Sequence, residues 1–225
     1  MQTYQVSKFK NLLGIAEYTN SQMFALSPSI SDIIFNTDLQ IICVYTLYGW
    51  QDLQDNPILQ TLFFDDFEDG IFDKWTVVND NNNQFIIGTD KKYQGTYGAY
   101  ISNNGVNAQY TNNQTQISHI YTDINFPDAE LIQLELFWLG MGEVNYDYGR
   151  IYIMPATVTP QAHVLPDSQY LVSGDLNNNT NWKKEIIDLT DYKNTTQRLV
   201  LTWRNDGSVG QNPAICIDNI IVGYK

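Results

Sequence analysis

The sequence predicts an all-β protein: a β-sandwich behind a small N-terminal arm and a β-hairpin module. Three observations predict it. From Phe63 onward, short apolar runs alternate with clusters of Asn, Gly and Asp, and no segment carries helical periodicity. The chain closes on two strand-like runs. In the first, Leu199, Leu201 and Trp203 alternate with Val200, Thr202 and Arg204; the second, AICIDNIIV at 214–222, reads as a strand covered on both faces. Near the other end, apolar runs at 32–35 and 40–45 flank Asn36-Thr37-Asp38-Leu39, a hairpin pattern with turn-prone residues at the bend.

Composition narrows the function classes. The 225 residues include 15 Tyr, 10 Phe and 5 Trp, enough for a sizeable core. The formal net charge is −13, and the 12 basic residues form no cluster. That excludes nucleic acid as a partner, because such affinity rests on phosphate neutralisation. No apolar run approaches the roughly 20 residues of a membrane span, so no membrane insertion is expected. Cys43 and Cys216 lie in separate apolar runs and are read as buried free thiols. No Cys/His cluster offers a zinc site. The opening MQTYQVSKFKNLLGIAEYTN shows neither an uninterrupted apolar core nor a small-residue cleavage site, so no export signal is expected.

Taken in order, residues 1–26 form an arm whose Phe9, Leu12, Leu13 and Ala16 fall at helical spacing. Residues 27–54 form the hairpin module. A unit this small is expected to bury too little by itself. Its Ile33, Phe35, Ile42, Val44 and Trp50 should therefore pack against another copy or another chain, making a homo-oligomer. Residues 55–62, with Asp55-Asn56-Pro57, read as a linker, and residues 63–225 as the sandwich. The Asn-rich tracts at 79–83, 103–113 and 177–181 are read as loops. Within the last strand Asp218 interrupts an apolar run. A carboxylate there must be paired, metal-bound or hydrogen-bonded, since an unpaired buried charge costs several kcal/mol, roughly.

The motifs FFDDFEDG at 63–70, GTYGAYISNN at 95–104, GEVNYDYGRIYIMP at 142–155, NWKKEIIDLTDY at 181–192 and WRNDGSVGQNPAICIDNI at 203–220 occur in an order that resembles the MAM-like, choice-of-anchor J jelly-roll domains of Bacteroidetes surface proteins. The hairpin module, with SDIIFNTDLQIICVY followed by Trp50, resembles a small module of bacteriophage fibre proteins. The first resemblance implies that the sandwich is a jelly-roll (concanavalin-like) fold, with a structural Ca2+ between its first and last strands. Glu68 and Asp218 match its ligands most directly, with Asp66 and Asp69 as further candidates. The alternative is that Asp218 caps a loop by hydrogen bonds while the first-strand acids are solvated. Asp147 matches a repeated family position and is read as structural, pairing Arg150 or bonding backbone amides.

No catalytic constellation is read. Glu143 and Asp147 lack the ExDxxE spacing of sandwich-fold glycosidases, and His119 and His163 have no nucleophile motif beside them. Aromatic rings in or beside loops (Tyr93, Tyr97, Tyr110, Tyr146, Tyr148, Trp182) suggest a surface for stacking sugar rings, with Trp182 and Tyr97 the first choices. Together the resemblances imply a bacteriophage virion protein of a Bacteroidetes (crAss-like) phage. It would be a head or tail fibre or decoration subunit, attached to other virion proteins by its N-terminal part and holding surface glycans with its jelly roll. A bacterial surface adhesin is the alternative reading, and a glycoside hydrolase the third.

Overall fold

The computed structural model describes residues 14–47, 49–54 and 58–225. It divides into two compact units, Met1–Thr61 with Gly223–Lys225, and Leu62–Val222. The expected amphipathic positions Phe9, Leu12 and Leu13, and the linker residues Asp55-Asn56-Pro57, lie outside the described residues.

The first unit holds more than a hairpin. Strands β1 (Glu17–Tyr18), β2 (Ile33–Asn36), β3 (Ile41–Thr46) and β4 (Gly49–Asp52) form one sheet in the order β1-β2-β3-β4. Thr19 starts the five-residue helix α1 (Asn20–Phe24) through a capping box with Gln22, which satisfies backbone donors at both ends of the motif. At the hairpin bend the Asn36 side chain accepts from the amides of Asp38 and Leu39, the local bonding that makes Asn a turn residue. One sheet face carries Ile34, Cys43 and Trp50, packed with Met23 and Ile58. Each large apolar side chain so buried contributes about 1.5–3 kcal/mol.

This overturns part of the reason for expecting a partner. Phe35, Ile42 and Trp50 are already buried within the chain, whereas Val44 is half-buried and Ile33 is 50% exposed. Met23 of the helix and Ile58 cover Ile34, Cys43 and Trp50, which a lone hairpin would leave bare.

The sandwich follows, built from β5 (Gln60–Asp65), β6 (Thr76–Val78), β7 (Gln84–Gly88), β8 (Gly98–Ser102), β9 (Gln116–Asn125), β10 (Ile132–Gly140), β11 (Tyr148–Pro155), β12 (Asn179–Asp188), β13 (Thr196–Asn205) and β14 (Cys216–Tyr224). One sheet runs β12-β10-β14-β8-β7, with β5 also paired to β14; the other runs β11-β13-β9-β6. The protein is an all-β jelly-roll sandwich. Its two closing strands, adjacent in sequence, belong to opposite sheets, so residues 206–215 cross between the layers. Gly149 makes that crossing possible, because a Cβ there would lie 2.8 Å from the Ile215 side chain.

Alternation sorts the side chains as expected. Leu199, Leu201 and Trp203 of β13 and Ile151 and Ile153 of β11 face inward and are buried. Leu134, Leu136 and Trp138 of β10 meet them from the other sheet. The tracts at 79–83 and 103–113 are loops, but β12 begins at Asn179, inside the third Asn-rich tract. Both cysteines are buried and unbridged.

Residues 156–176 form a strap across the outer face of the four-stranded sheet, covering Tyr152, Met154 and Val200. His119, wholly buried on that face, fastens it. Its Nε2 lies 3.1 Å from the Gln161 carbonyl and its Nδ1 2.9 Å from the Thr202 hydroxyl. A carbonyl only accepts, so Nε2 carries the proton and Nδ1 accepts from Thr202. Burial pushes the imidazole down to about 4. In the unfolded chain it protonates near pH 6.5, so the neutral buried ring loses stability for the protein as pH falls from about 6.5 through about 4. Between pH 7 and 4.5, urea unfolding of the wild type should lose about 2–3 kcal/mol more than that of His119→Gln, which cannot titrate. Equal pH dependence of the two proteins would refute this role.

Candidate functional site

The site is built outward from Asp218. Its strand is central, with β10 on one side and β8 and β5 on the other, and the acid is fully buried on the sheet face that carries Cys216. Its Oδ2 accepts from the backbone amides of Tyr93 (2.7 Å) and Gln94 (3.2 Å), and its Oδ1 from Asn219 (2.7 Å). Two residues further along the same loop, Glu68 accepts from the amides of Thr96 (2.8 and 3.0 Å) and Tyr97 (2.8 Å). Two carboxylates thus clamp the loop between β7 and β8 from opposite ends of the chain. Gly95 is required where they meet it: its φ is +70°, and a Cβ would lie 2.3 Å from Glu68 Oε1.

The two acids are tuned in opposite directions. Burial pushes Asp218 above the ordinary carboxylate range, against the pull of its three amide bonds, and the nearby Glu68 charge adds to the rise. Glu68 is held below that range by the amides of Tyr97 and Thr96.

These bonds decide the fit to calcium. On each carboxylate amide hydrogens already take three of the roughly four lone-pair sites, and they would repel a cation. Asp66 and Asp69 lie beyond the end of β5 and cap their own turns, accepting from the Glu68 and Ile71 amides. Among the described residues no three His, Cys, Asp or Glu side chains come together as a metal site. The donor set does not fit the ion that the resemblance implies. The acid that anchors the first strand is instead Asp65, which sequence reasoning missed. It is buried and accepts from Trp75 Nε1 (2.6 Å) and the Phe67 amide (3.1 Å).

The clamped loop presents an aromatic group. The Tyr93 ring stacks on Phe137 with centroids 3.7 Å apart and 9° between planes, and meets Trp182 edge-on at 5.9 Å. Phe137 is on the outer face of β10, where Gln133, Glu135 and Phe137 alternate with the buried Leu134, Leu136 and Trp138. Across the strand pair Lys184 stands opposite Phe137 and Ile186 opposite Glu135. Trp182 is half-buried, resting on Tyr100, Ala108, Leu139 and Cys216 beneath it. Tyr93 remains 42% exposed. An open hollow of about 240 Å³ lies on the other side of the loop, lined by Phe64, Asp66, Glu68, Gln94, Gly95 and Asn219.

The first-choice aromatics therefore separate. Trp182 belongs to the group with Tyr93 and Phe137, whereas Tyr97 turns its ring over Gly70 and serves the loop. Tyr110 and Tyr148 are buried. A signal for Phe137 was present: an aromatic among the polar, outward positions of an alternating strand. Asp147 does not pair Arg150, which binds Asp175 at 2.6 Å. It accepts from the Tyr110 hydroxyl (2.6 Å) and the Asp206 amide (2.9 Å), fixing the crossing after β13. His163 pairs Asp80 at 2.9 Å.

No family model and no curated protein matches the chain. Solved structures similar to it include TmCBM61 in complex with beta-1,4-galactotriose, at 12% identity and a TM-score of 0.47, covering 74% of this chain and 99% of that one. The K1 cleaved adhesin domain of Lys-gingipain from Porphyromonas gingivalis W83 aligns at 17% identity with a TM-score of 0.45, over 72% and 98% of the two chains. Bacteriophage CBA120 tailspike protein 4 aligns at 11% identity with a TM-score of 0.43, over 71% of this chain and 20% of that one.

The clamp predicts a specific response. Asp218→Ala leaves two loop amides without a buried acceptor and should cost about 1–3 kcal/mol in chemical unfolding. Gly95→Ala should destabilise as well, by pushing Glu68 off its amides. In wild type, chelator and added Ca2+ should leave Tm unchanged. A calcium-dependent rise in Tm that Asp218→Ala abolishes would restore the metal reading.

Proposed function

We propose that this protein is a non-catalytic, glycan-binding subunit of a bacteriophage virion, a fibre or decoration protein that presents its sandwich in many copies. The observation that carries the glycan reading is the Tyr93 ring, exposed yet held on Phe137 and Trp182 by a loop whose amides are fixed at both ends. A pyranose presents a C–H face that stacks on such a ring, while hydroxyls bond to neighbouring amide and carboxylate side chains. Gln94, next to Tyr93 in the loop, and Asn219, which donates to it, line the hollow on the loop's other side. Rigidity matters because ordering the site on binding would otherwise subtract from a small interaction energy.

What supports the virion setting is the fibre-like pattern of the N-terminal unit, in which Ile33 and Val44 stand opposite each other on one sheet face and stay partly exposed. These residues would join neighbouring copies or other virion proteins. Mass spectrometry of purified particles from the source phage would detect the chain there, whereas recovery only from bacterial envelopes would favour a surface adhesin.

An open platform touching one or two sugars binds weakly by itself. Multivalent display raises effective affinity by ~10²–10⁴ where geometry allows. A particle or bead carrying many copies should therefore give glycan-array signal where the isolated chain gives little. Tyr93→Ala and Trp182→Ala should each reduce that signal at least several-fold, with Tm little changed for the exposed Tyr93. A multivalent display silent across host-surface and mucin glycans would refute the glycan reading.

A further inference from the structure

We infer that the platform takes a neutral rather than an anionic glycan, and that the Glu135–Lys184 pair sets this preference; the inference rests on the glycan-binding reading above. Lys184 stands directly opposite Phe137 on the outer face of the six-stranded sheet, one residue pair from where a stacked sugar would lie. Left free, it would be the natural partner of a carboxylate or sulfate. It is not free: its Nζ lies 2.5 Å from Glu135 Oε2, on the same face.

Lys92 on the clamped loop turns its Nζ onto the Thr89 carbonyl at 2.9 Å, and Lys183, beside Trp138 on the opposite face of the strand pair, pairs Glu185 at 3.7 Å. On this face and its loop Glu68, Asp90, Glu135, Asp188 and Asp218 outnumber Lys91, Lys92 and Lys184, and the whole chain carries −13. An acidic sugar would approach a surface of its own sign, and the lysine opposite Phe137 is already paired. A neutral hexose or pentose loses nothing by this, because stacking and hydroxyl bonds need no net charge. The pair also fixes the long Lys184 side chain, leaving its methylenes as apolar wall beside Phe137.

The test uses the full chain in multivalent display, probed with neutral β-linked gluco-, galacto- and xylo-oligosaccharides and with sialylated and sulfated oligosaccharides. At low salt the wild type should bind neutral probes at least about three- to tenfold better than anionic ones, the scale of one uncompensated charge near the surface. Glu135→Gln releases Lys184 and should raise the anionic-to-neutral ratio by a similar factor, a gain that 0.5 M salt removes. Wild type that prefers the anionic probes, or a ratio unmoved in Glu135→Gln, would overturn the inference while leaving glycan binding intact. Binding to neither class would overturn the glycan reading and this inference with it.

Discussion

The interaction on which the rest depends is the acceptance of two loop amides by the buried carboxylate of Asp218. A charge in the centre of a β-sheet is costly unless hydrogen-bonded. Its three backbone donors, one from its own strand and two from the loop, are what make it tolerable. The same bonds solve the opposite problem. Residues 89–97 lie outside regular structure, and their amides need partners wherever the loop covers the sheet. Glu68 completes the arrangement two residues on. Sequence positions more than a hundred residues apart (Tyr93 and Asp218) are thus tied at one point, and the position of the Tyr93 ring follows from it.

The two outer faces of the sandwich are treated differently. The four-stranded face is closed by the strap of residues 156–176, fastened through His119 and Arg198; the latter bonds both Asp123 and the Val158 carbonyl. On the six-stranded face the covering loops stop over Tyr100 and Cys216, and the outward positions of β10 and β12 remain partly exposed. This asymmetry directs the search for a ligand to Phe137 and its neighbours. Buried groups such as Asp147 and His119 take their meaning from holding loops in place.

Much of this was legible in the sequence, and for identifiable reasons. Period-two alternation marked Leu199, Leu201 and Trp203 as one face of a strand, and β13 places them in the core. The Asn36-Thr37-Asp38-Leu39 bend marked the hairpin of β2 and β3. Sequence also showed that Asp218 must have a partner, but not which one. A carboxylate that binds calcium and one that binds amides differ only in what the chain brings near, and here that is a loop from residues 93–97. The acids Asp66, Glu68 and Asp69 looked like ligands because they are clustered, yet an Asx turn and an amide clamp use clustered acids equally well. The small N-terminal unit was underestimated because β1 and α1 are too short to register as periodic segments. Tyr97 and Tyr93 are indistinguishable by sequence; only the clamp's register sends one ring over Gly70 and the other onto Phe137.

Amide hydrogen exchange followed by NMR tests the clamp most directly. If the carboxylates hold the loop, the amides of Tyr93, Gln94, Thr96 and Tyr97 should exchange far more slowly than other amides of exposed loops. Tyr93 and Gln94 should lose that protection in Asp218→Ala, and Thr96 and Tyr97 in Glu68→Ala, since neither variant keeps an acceptor. The protection should be the same with and without Ca2+. Exchange of these four amides at the rate of an unstructured loop in the wild type, or protection that appears only when Ca2+ is added, would contradict the account.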